Sequence, residues 1–299
     1  MSTAASVHRR LLNHARQSGQ VFNQVLQMYV LQRFLHRLGK SAESERYILK
    51  GALMLAVWQS PESRPTRDID LLGTLDNAIE VITDSMRRIC ATNGGGDGLR
   101  FPPDGISAER TMEGAAYAGV RVRMTAYLGK ARVPFQVDIG FGDAVVPGPS
   151  DVSIPCVLDL APACLRGYSR ESCIAEKLQT MVALGEINSR MKDFYDIWLL
   201  ATTQPFTGSD LAAAITATFR RRKTEMVWPI AALDSAFATP ERETQWRAFI
   251  RRSRLGEPET LRETLVLLAG FVEPVVNSLE LGTAPAGLWP PGGPWGCGR

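Results

Sequence analysis

The sequence predicts an α+β fold, with a small mixed sheet and flanking helices in the first half and a helical second half. Three observations carry this. Residues 115–141 alternate in polarity on either side of a Gly129-Lys130 dipeptide, the pattern of a strand hairpin. Residues 7–39 repeat apolar side chains at helical spacing through Val21, Phe22, Val25, Leu26, Tyr29, Val30 and Phe34. The same spacing returns from Arg170 onward in five stretches, 170–185, 190–203, 209–222, 239–252 and 257–278.

Each element follows from local chemistry. Ser41-Ala-Glu-Ser44 ends the first helical stretch with capping residues. Residues 47–58, YILKGALMLAVW, predict a second, apolar helix. Ser60–Pro65 holds two prolines and is expected to be a loop. Thr66–Gly73 predicts a short buried strand and Asp76–Ala91 a helix, before a flexible turn over Asn93-Gly-Gly-Gly-Asp-Gly98. In the hairpin's second strand, Phe135, Val137 and Ile139 fall on one face, with Gln136 and Asp138 on the other. Val152–Val157 predicts one more short strand, and the Pro- and Gly-rich end a disordered tail. The expected organisation is a core over 1–160, a helical domain over 161–281 and the tail over 282–299.

Composition narrows the chemistry. Of 299 residues, 45% are hydrophobic and 22% charged, ordinary for a globular protein. No apolar run reads as long enough to cross a bilayer, and the N-terminus lacks a signal-peptide core, so a cytoplasmic protein with no membrane partner is expected. The five cysteines are odd in number and form no CxxC pair, which predicts reduced, mostly buried thiols. All three histidines (His8, His14 and His36) lie near the N-terminus, which disfavours a Ser-His-Asp triad or a His-rich metal site. Chemistry must then run on carboxylates, lysines and arginines. Net charge is only +3, but Arg220-Arg221-Arg222-Lys223 and Arg251-Arg252-Ser253-Arg254 form basic clusters. These either neutralise phosphates or complement helix C-termini.

The most informative segment is Arg67-Asp68-Ile69-Asp70. Two carboxylates one residue apart on a strand face the same way and can share a divalent cation. Gly51, in the preceding small-residue turn Lys50-Gly51-Ala52, permits close approach of a phosphate. Asp138 is a third candidate ligand, since an unpaired carboxylate among apolar neighbours is costly and a shared metal offsets that cost. Three carboxylates suit magnesium, and two metals would activate an attacking hydroxyl and stabilise leaving pyrophosphate. Lys177, on an apolar helix, either is solvated or reaches a triphosphate as a point charge. Asp193 and Asp196 share a helix face. They cap that helix with Arg190 pairing, or hold Lys177, or bind base or ribose.

The ordered segments Tyr47-Ile-Leu-Lys-Gly-Ala-Leu53, Arg67-Asp-Ile-Asp-Leu71, Val137-Asp-Ile-Gly-Phe-Gly-Asp143, Glu176-Lys-Leu178 and Ser189-Arg-Met-Lys-Asp-Phe-Tyr-Asp196 resemble the AbiEii/AbiGii nucleotidyltransferase toxins, a family that includes the MenT toxins. The resemblance spans roughly residues 28–205 and implies a DNA polymerase β-like nucleotidyltransferase core. It implies a toxin of a toxin–antitoxin or phage-defence system with a cognate antitoxin, and transfer of nucleotide from an NTP to an RNA such as a tRNA 3′ end. Matched residue by residue, it makes Asp68, Asp70 and Asp138 catalytic metal ligands for Mg²⁺. It makes Lys177 a phosphate contact and Asp193 the acid of the last motif. The nucleotide-binding set is Lys50, Gly51, Ala52, Arg67, Lys177, Arg190 and Asp196. Gly51-Ala52 departs from the Gly-Ser of the broader superfamily, so backbone N–H groups must replace a hydroxyl. The alternatives are transfer to a protein or a small molecule such as an antibiotic, or a non-catalytic NTP-binding toxin.

Overall fold

The computed structural model describes residues 3–58, 65–113, 117–283, 285 and 287–296. The loop expected over Ser60–Pro65 lies, apart from Pro65, outside them, as does Ala115 at the expected start of the hairpin. The described residues fall into two units. The first takes in those of Met1–Trp58, Pro65–Gly142 and Ser150–Gly167, the second those of Asp143–Pro149 and Tyr168–Arg299.

The first unit opens with α1 (Thr3–Ser18) and α2 (Phe22–Lys40). The single helical stretch expected over 7–39 is divided because Gly19 takes a φ of 67°, which a right-handed helix cannot continue through. There follow β1 (Tyr47–Lys50), α3 (Leu53–Val57), β2 (Asp68–Gly73), α4 (Ile79–Ala91), β3 (Leu99–Arg100) and β4 (Ser107–Glu113). The unit closes with β5 (Tyr117–Leu128), β6 (Ala131–Phe141), β7 (Ser150–Ile154) and β8 (Ala163–Gly167). The sheet runs β3-β5-β6-β2-β1-β8-β7, with β4 also on β5. It is mixed: β2 with β6 and β1 with β8 are parallel, the other pairs antiparallel.

Residues 47–58 correct the expectation of an apolar helix. Tyr47, Ile48 and Leu49 are all buried in a strand between β2 and β8. A short continuous apolar run fits a strand covered on both faces as well as it fits a helix, and periodicity cannot separate the two. Gly51, at φ 73°, then turns the chain into the short α3. β7 and β8 pair as a hairpin inside the first unit, so the boundary expected at 160/161 is crossed by a structure that β1 holds through β8. The Asn93–Gly98 turn is pinned rather than flexible. Buried Asp97 accepts hydrogen bonds from Arg33 Nε at 3.3 Å, from Arg37 Nη2 at 3.1 Å and from Arg37 Nη1, and the Tyr29 hydroxyl donates to its backbone oxygen at 2.8 Å. One sheet face, with Ile69, Leu71, Phe135, Val137 and Ile139, belongs to the same buried core as Tyr29, Val30 and Phe34 of α2. Full burial of each such side chain stabilises by about 1.5–3 kcal/mol.

The second unit holds α5 (Arg170–Leu184), α6 (Met191–Thr203), β9 (Phe206–Thr207), α7 (Gly208–Arg221), α8 (Pro240–Ser253), α9 (Leu261–Leu281) and β10 (Leu288–Trp289). Four helix starts are set by hydroxyl caps: Ser169, Thr207, Thr239 and Thr260 each accept the N–H three residues on. Contrary to expectation, α9 is long and apolar enough to cross a membrane by length and composition. Its Leu265, Leu268, Phe271, Val272, Val275 and Val276 are instead buried in this unit. The tail expected to be disordered is structured over 287–296. β10 pairs with β9, the Trp289 Nε1 donates to the Ala201 carbonyl at 2.7 Å, and Trp295 stacks on Phe271. Its aromatic side chains bury enough apolar surface to order a Pro/Gly-rich segment. Of the cysteines, Cys90, Cys156, Cys164 and Cys173 are free thiols, but only Cys173 is buried and Cys164 is exposed.

Candidate active site

Strand register assembles the first unit's site. Asp68 and Asp70 share a face of β2 by their spacing of two. On one side Lys50 of β1 lies opposite Asp70. On the other, Gln136 and Asp138 of β6 lie opposite Asp68 and Asp70. Beyond β6, Arg121 and Arg123 of β5 lie opposite Asp138 and Gln136. Directly opposed residues present their side chains on the same face. One row across four strands is therefore Lys50, Asp70, Asp138, Arg121, in charge order plus, minus, minus, plus.

The two inner carboxylates stand on adjacent strands, about 4.8 Å apart in the hydrogen-bonding direction, where like charges repel unless a cation joins them. Arg121 supplies a cation to Asp138. Its Nε donates to Asp138 Oδ1 at 2.7 Å and its Nη2 to Oδ2 at 3.0 Å, a fork-on-fork pair, and Gln136 Nε2 donates to Oδ2 at 3.2 Å. The hydrogen bonds to Asp138 raise the guanidinium's basicity further. The pair is half-open: the Arg121 side chain is 31% exposed and that of Asp138 20%. Gly51 is required here for a second reason besides its positive φ. A Cβ at that position would overlap the Asp70 carboxylate, so the turn and the carboxylate pack directly together. Ala52 is buried and Arg67 exposed.

Among the described residues, no three Asp, Glu, His or Cys side chains converge to hold a metal ion. The oxygen donors of Asp68, Asp70 and Asp138 suit magnesium by chemistry and share a face, but Asp138 is directed to Arg121. Arg121 and Gln136 pair with the Asp138 carboxylate and offset the cost of its burial. Sequence reasoning missed both partners.

In the second unit, the Lys177 ammonium on α5 donates to Asp193 Oδ1 at 3.0 Å and Asp196 Oδ2 at 2.7 Å on α6. Arg190 Nε donates to Asp193 Oδ2 at 2.6 Å. The Asp193 and Asp196 side chains are 3% and 1% exposed. Burial pushes the Asp193 carboxyl up, but the charges and hydrogen bonds of Lys177 and Arg190 outweigh it and hold the group at about 2. Of the roles expected for the two aspartates, this geometry shows both of them holding Lys177 and Asp193 pairing with Arg190. Beside them, Arg222 pairs with Asp143 at 3.2 Å and Glu176 at 3.5 Å, and Glu176 accepts from the Tyr168 hydroxyl at 2.8 Å. Arg222 is thus directed inward and leaves the basic cluster it belongs to in sequence. Arg220 and Lys223 remain exposed, as do Arg251, Arg252 and Arg254 at the end of α8.

A model of the nucleotidyl transferase AbiEii toxin family, of type IV toxin–antitoxin systems, matches residues 33–267. Among solved structures, the chain is similar to JHP933 from Helicobacter pylori, at 14% identity over 91% of this chain and 94% of that one, with a TM-score of 0.44. It is also similar to an H. pylori protein provisionally described as a nucleotidyltransferase, at 14% identity over 92% and 98% of the two chains, with a TM-score of 0.42. No curated protein matches it.

Proposed function

Because the chain belongs to the AbiEii nucleotidyl transferase toxin family, whose type IV toxin–antitoxin systems imply a cognate antitoxin, we propose that it is a magnesium-dependent enzyme that transfers a nucleotide from an NTP to the 3′ end of an RNA, tRNA foremost. The observation that carries this is the row Lys50, Asp70, Asp138, Arg121, with Asp68 on the same face and Gly51 packed on Asp70. In the reaction a ribose 3′ oxygen attacks the α-phosphorus, pyrophosphate leaves, and the hydroxyl proton passes to Asp70 or Asp138.

Asp68, Asp70 and Asp138 are the residues that would hold magnesium, which when bound supplies charge to the triphosphate and acidifies the attacking hydroxyl. Gly51 removes the side chain that would block approach of a phosphate to the turn, and Lys50 brings positive charge beside Asp70. In the second unit Lys177 carries a phosphate contact, its ammonium oriented by Asp193 and Asp196. A cytoplasmic location follows from RNA and NTP as substrates.

The test is label transfer. Purified protein, Mg²⁺ and each labelled NTP are incubated with total RNA, protein extract and small-molecule fractions. Label is expected in tRNA-sized RNA, and Asp68→Ala is expected to abolish it while melting at the native temperature. Label appearing only in protein or small molecules, or equal labelling by the Asp68→Ala variant, overturns the proposal.

A further inference from the structure

We infer that Arg121 is a positioning residue that competes with the divalent metal for Asp138 and so sets metal affinity in the nucleotide-free enzyme. The inference rests on the proposed metal role of the carboxylate row. Its first support is occupancy. An ionised carboxylate has about four lone-pair sites, and the Arg121 fork and the Gln136 amide fill three of those of Asp138. One site is left, so a metal held by both oxygens of Asp138 displaces an arm of Arg121, and a metal held by one oxygen meets the full positive charge of the guanidinium beside it.

The second support is exchangeability. Both partners are part-exposed, and part-exposed ion pairs are held weakly enough for a doubly charged cation to replace a singly charged one. The third is a second anion within reach of the displaced guanidinium. Glu109 of β4 lies directly opposite Arg121 in register. Its carboxylate presently pairs with Arg123 at 2.6 Å, on the diagonal. Arg121 thus stands between two carboxylates, Asp138 on β6 and Glu109 on β4, and can pass from one to the other while remaining paired. Arg123, already paired to Glu109, is not a substitute for it at Asp138. Gln136 can stay hydrogen-bonded to Asp138 throughout, because the amide carries no charge and does not oppose a metal.

The measurement is a calorimetric titration of the full chain with Mn²⁺ in the absence of nucleotide, with the bound ion counted by electron paramagnetic resonance. Arg121→Gln removes one positive charge beside the carboxylates and is expected to tighten Mn²⁺ binding about tenfold, the Coulombic scale for a unit charge at this range in a solvated setting. The gain is expected to vanish in Arg121→Gln/Asp138→Asn. Arg121→Lys keeps the charge without the fork and is expected to fall between, which keeps the test open if the glutamine variant folds poorly. Equal or weaker Mn²⁺ binding in both Arg121 variants, with tight binding in the parent, overturns the competition and leaves the metal site standing. Absence of Mn²⁺ binding in the parent and both variants overturns the metal site and the competition with it.

Discussion

Two groups of charged side chains, one in each unit, answer the same problem in opposite ways. In the first unit Asp138 meets Arg121 across a sheet, with a fifth to a third of each side chain in water. In the second, Asp193 and Asp196 meet Lys177 between two helices and are almost fully enclosed. Coulomb attraction in a solvated setting is small and yields to a competing ion, whereas the same attraction in an enclosed setting is large and offsets a desolvation cost already incurred. The difference teaches which charges can take part in exchange. The open pair can change partners without loss of fold, while the enclosed group clasps α5 to α6 and can change partners only if something opens it.

The sharpest way to break this comparison is Lys177→Met. Removal of the ammonium leaves Asp193 with Arg190 and takes the direct lysine contact from Asp196, both in buried surroundings. Breaking a buried pair from one side costs about 3–5 kcal/mol. A fall of that size in urea-derived stability, measured beside Arg121→Gln with a loss under about 1 kcal/mol, supports the contrast. Comparable losses in the two variants would remove it. The same Lys177 variant also separates two roles: a phosphate contact raises KM for NTP beyond what the remaining folded fraction accounts for, while a pure clasp does not.

The second expected effect is the acid dependence of the enclosed group. Asp193 is held at about 2, below the ordinary aspartate value of 3.8. A depressed carboxylate contributes stability that is fully present above the unfolded value and is lost as pH falls through the folded one. The window is therefore about pH 4 down to pH 2, and the contribution is about 2 kcal/mol. Stability curves between pH 5 and 2 are expected to be flatter for Asp193→Asn than for the parent. Parallel curves would mean that Asp193 is not the group that titrates.

How much of this was open to sequence reasoning differs by element. The helices of the second unit follow from periodicity because apolar residues recur at helical spacing in each and four of the five cap with a hydroxyl, and both signals are visible in the chain. β1 was not open to it, because three consecutive buried residues carry no period. The Asp97 pairing with Arg33 and Arg37 was hidden because charged residues on a helix ordinarily face water. The Arg121–Asp138 pair was legible but not drawn out. A two-residue turn at Gly129-Lys130 pairs Leu128 with Ala131, and counting seven residues back and seven forward brings Arg121 opposite Asp138. The row of carboxylates was half legible: spacing alone puts Asp68 and Asp70 on one face, but only the parallel register with β6 puts Asp138 beside Asp70.

A smaller effect on stability than those at Lys177 and Asp193 is expected at Gly51, and it sharpens the comparison from the open side. Gly51→Ala introduces a Cβ in a left-handed conformation, at a cost of about 1–2 kcal/mol, and that Cβ overlaps the Asp70 carboxylate. The carboxylate can swing on the half-exposed face of β2, but the Asp70 Cβ, 2.8 Å from the added carbon, shifts only with the strand. Asp70 is thereby pushed out of the row it shares with Lys50 and Asp138. Nucleotide transfer is therefore expected to fall on the order of a hundredfold, the scale of losing one preorganised electrostatic group, in a protein that still unfolds cooperatively at a somewhat lower urea midpoint. A variant that keeps full transfer would show that the position of Asp70 is not what the reaction requires. A variant that unfolds would show that the open face bears on stability as the enclosed clasp does.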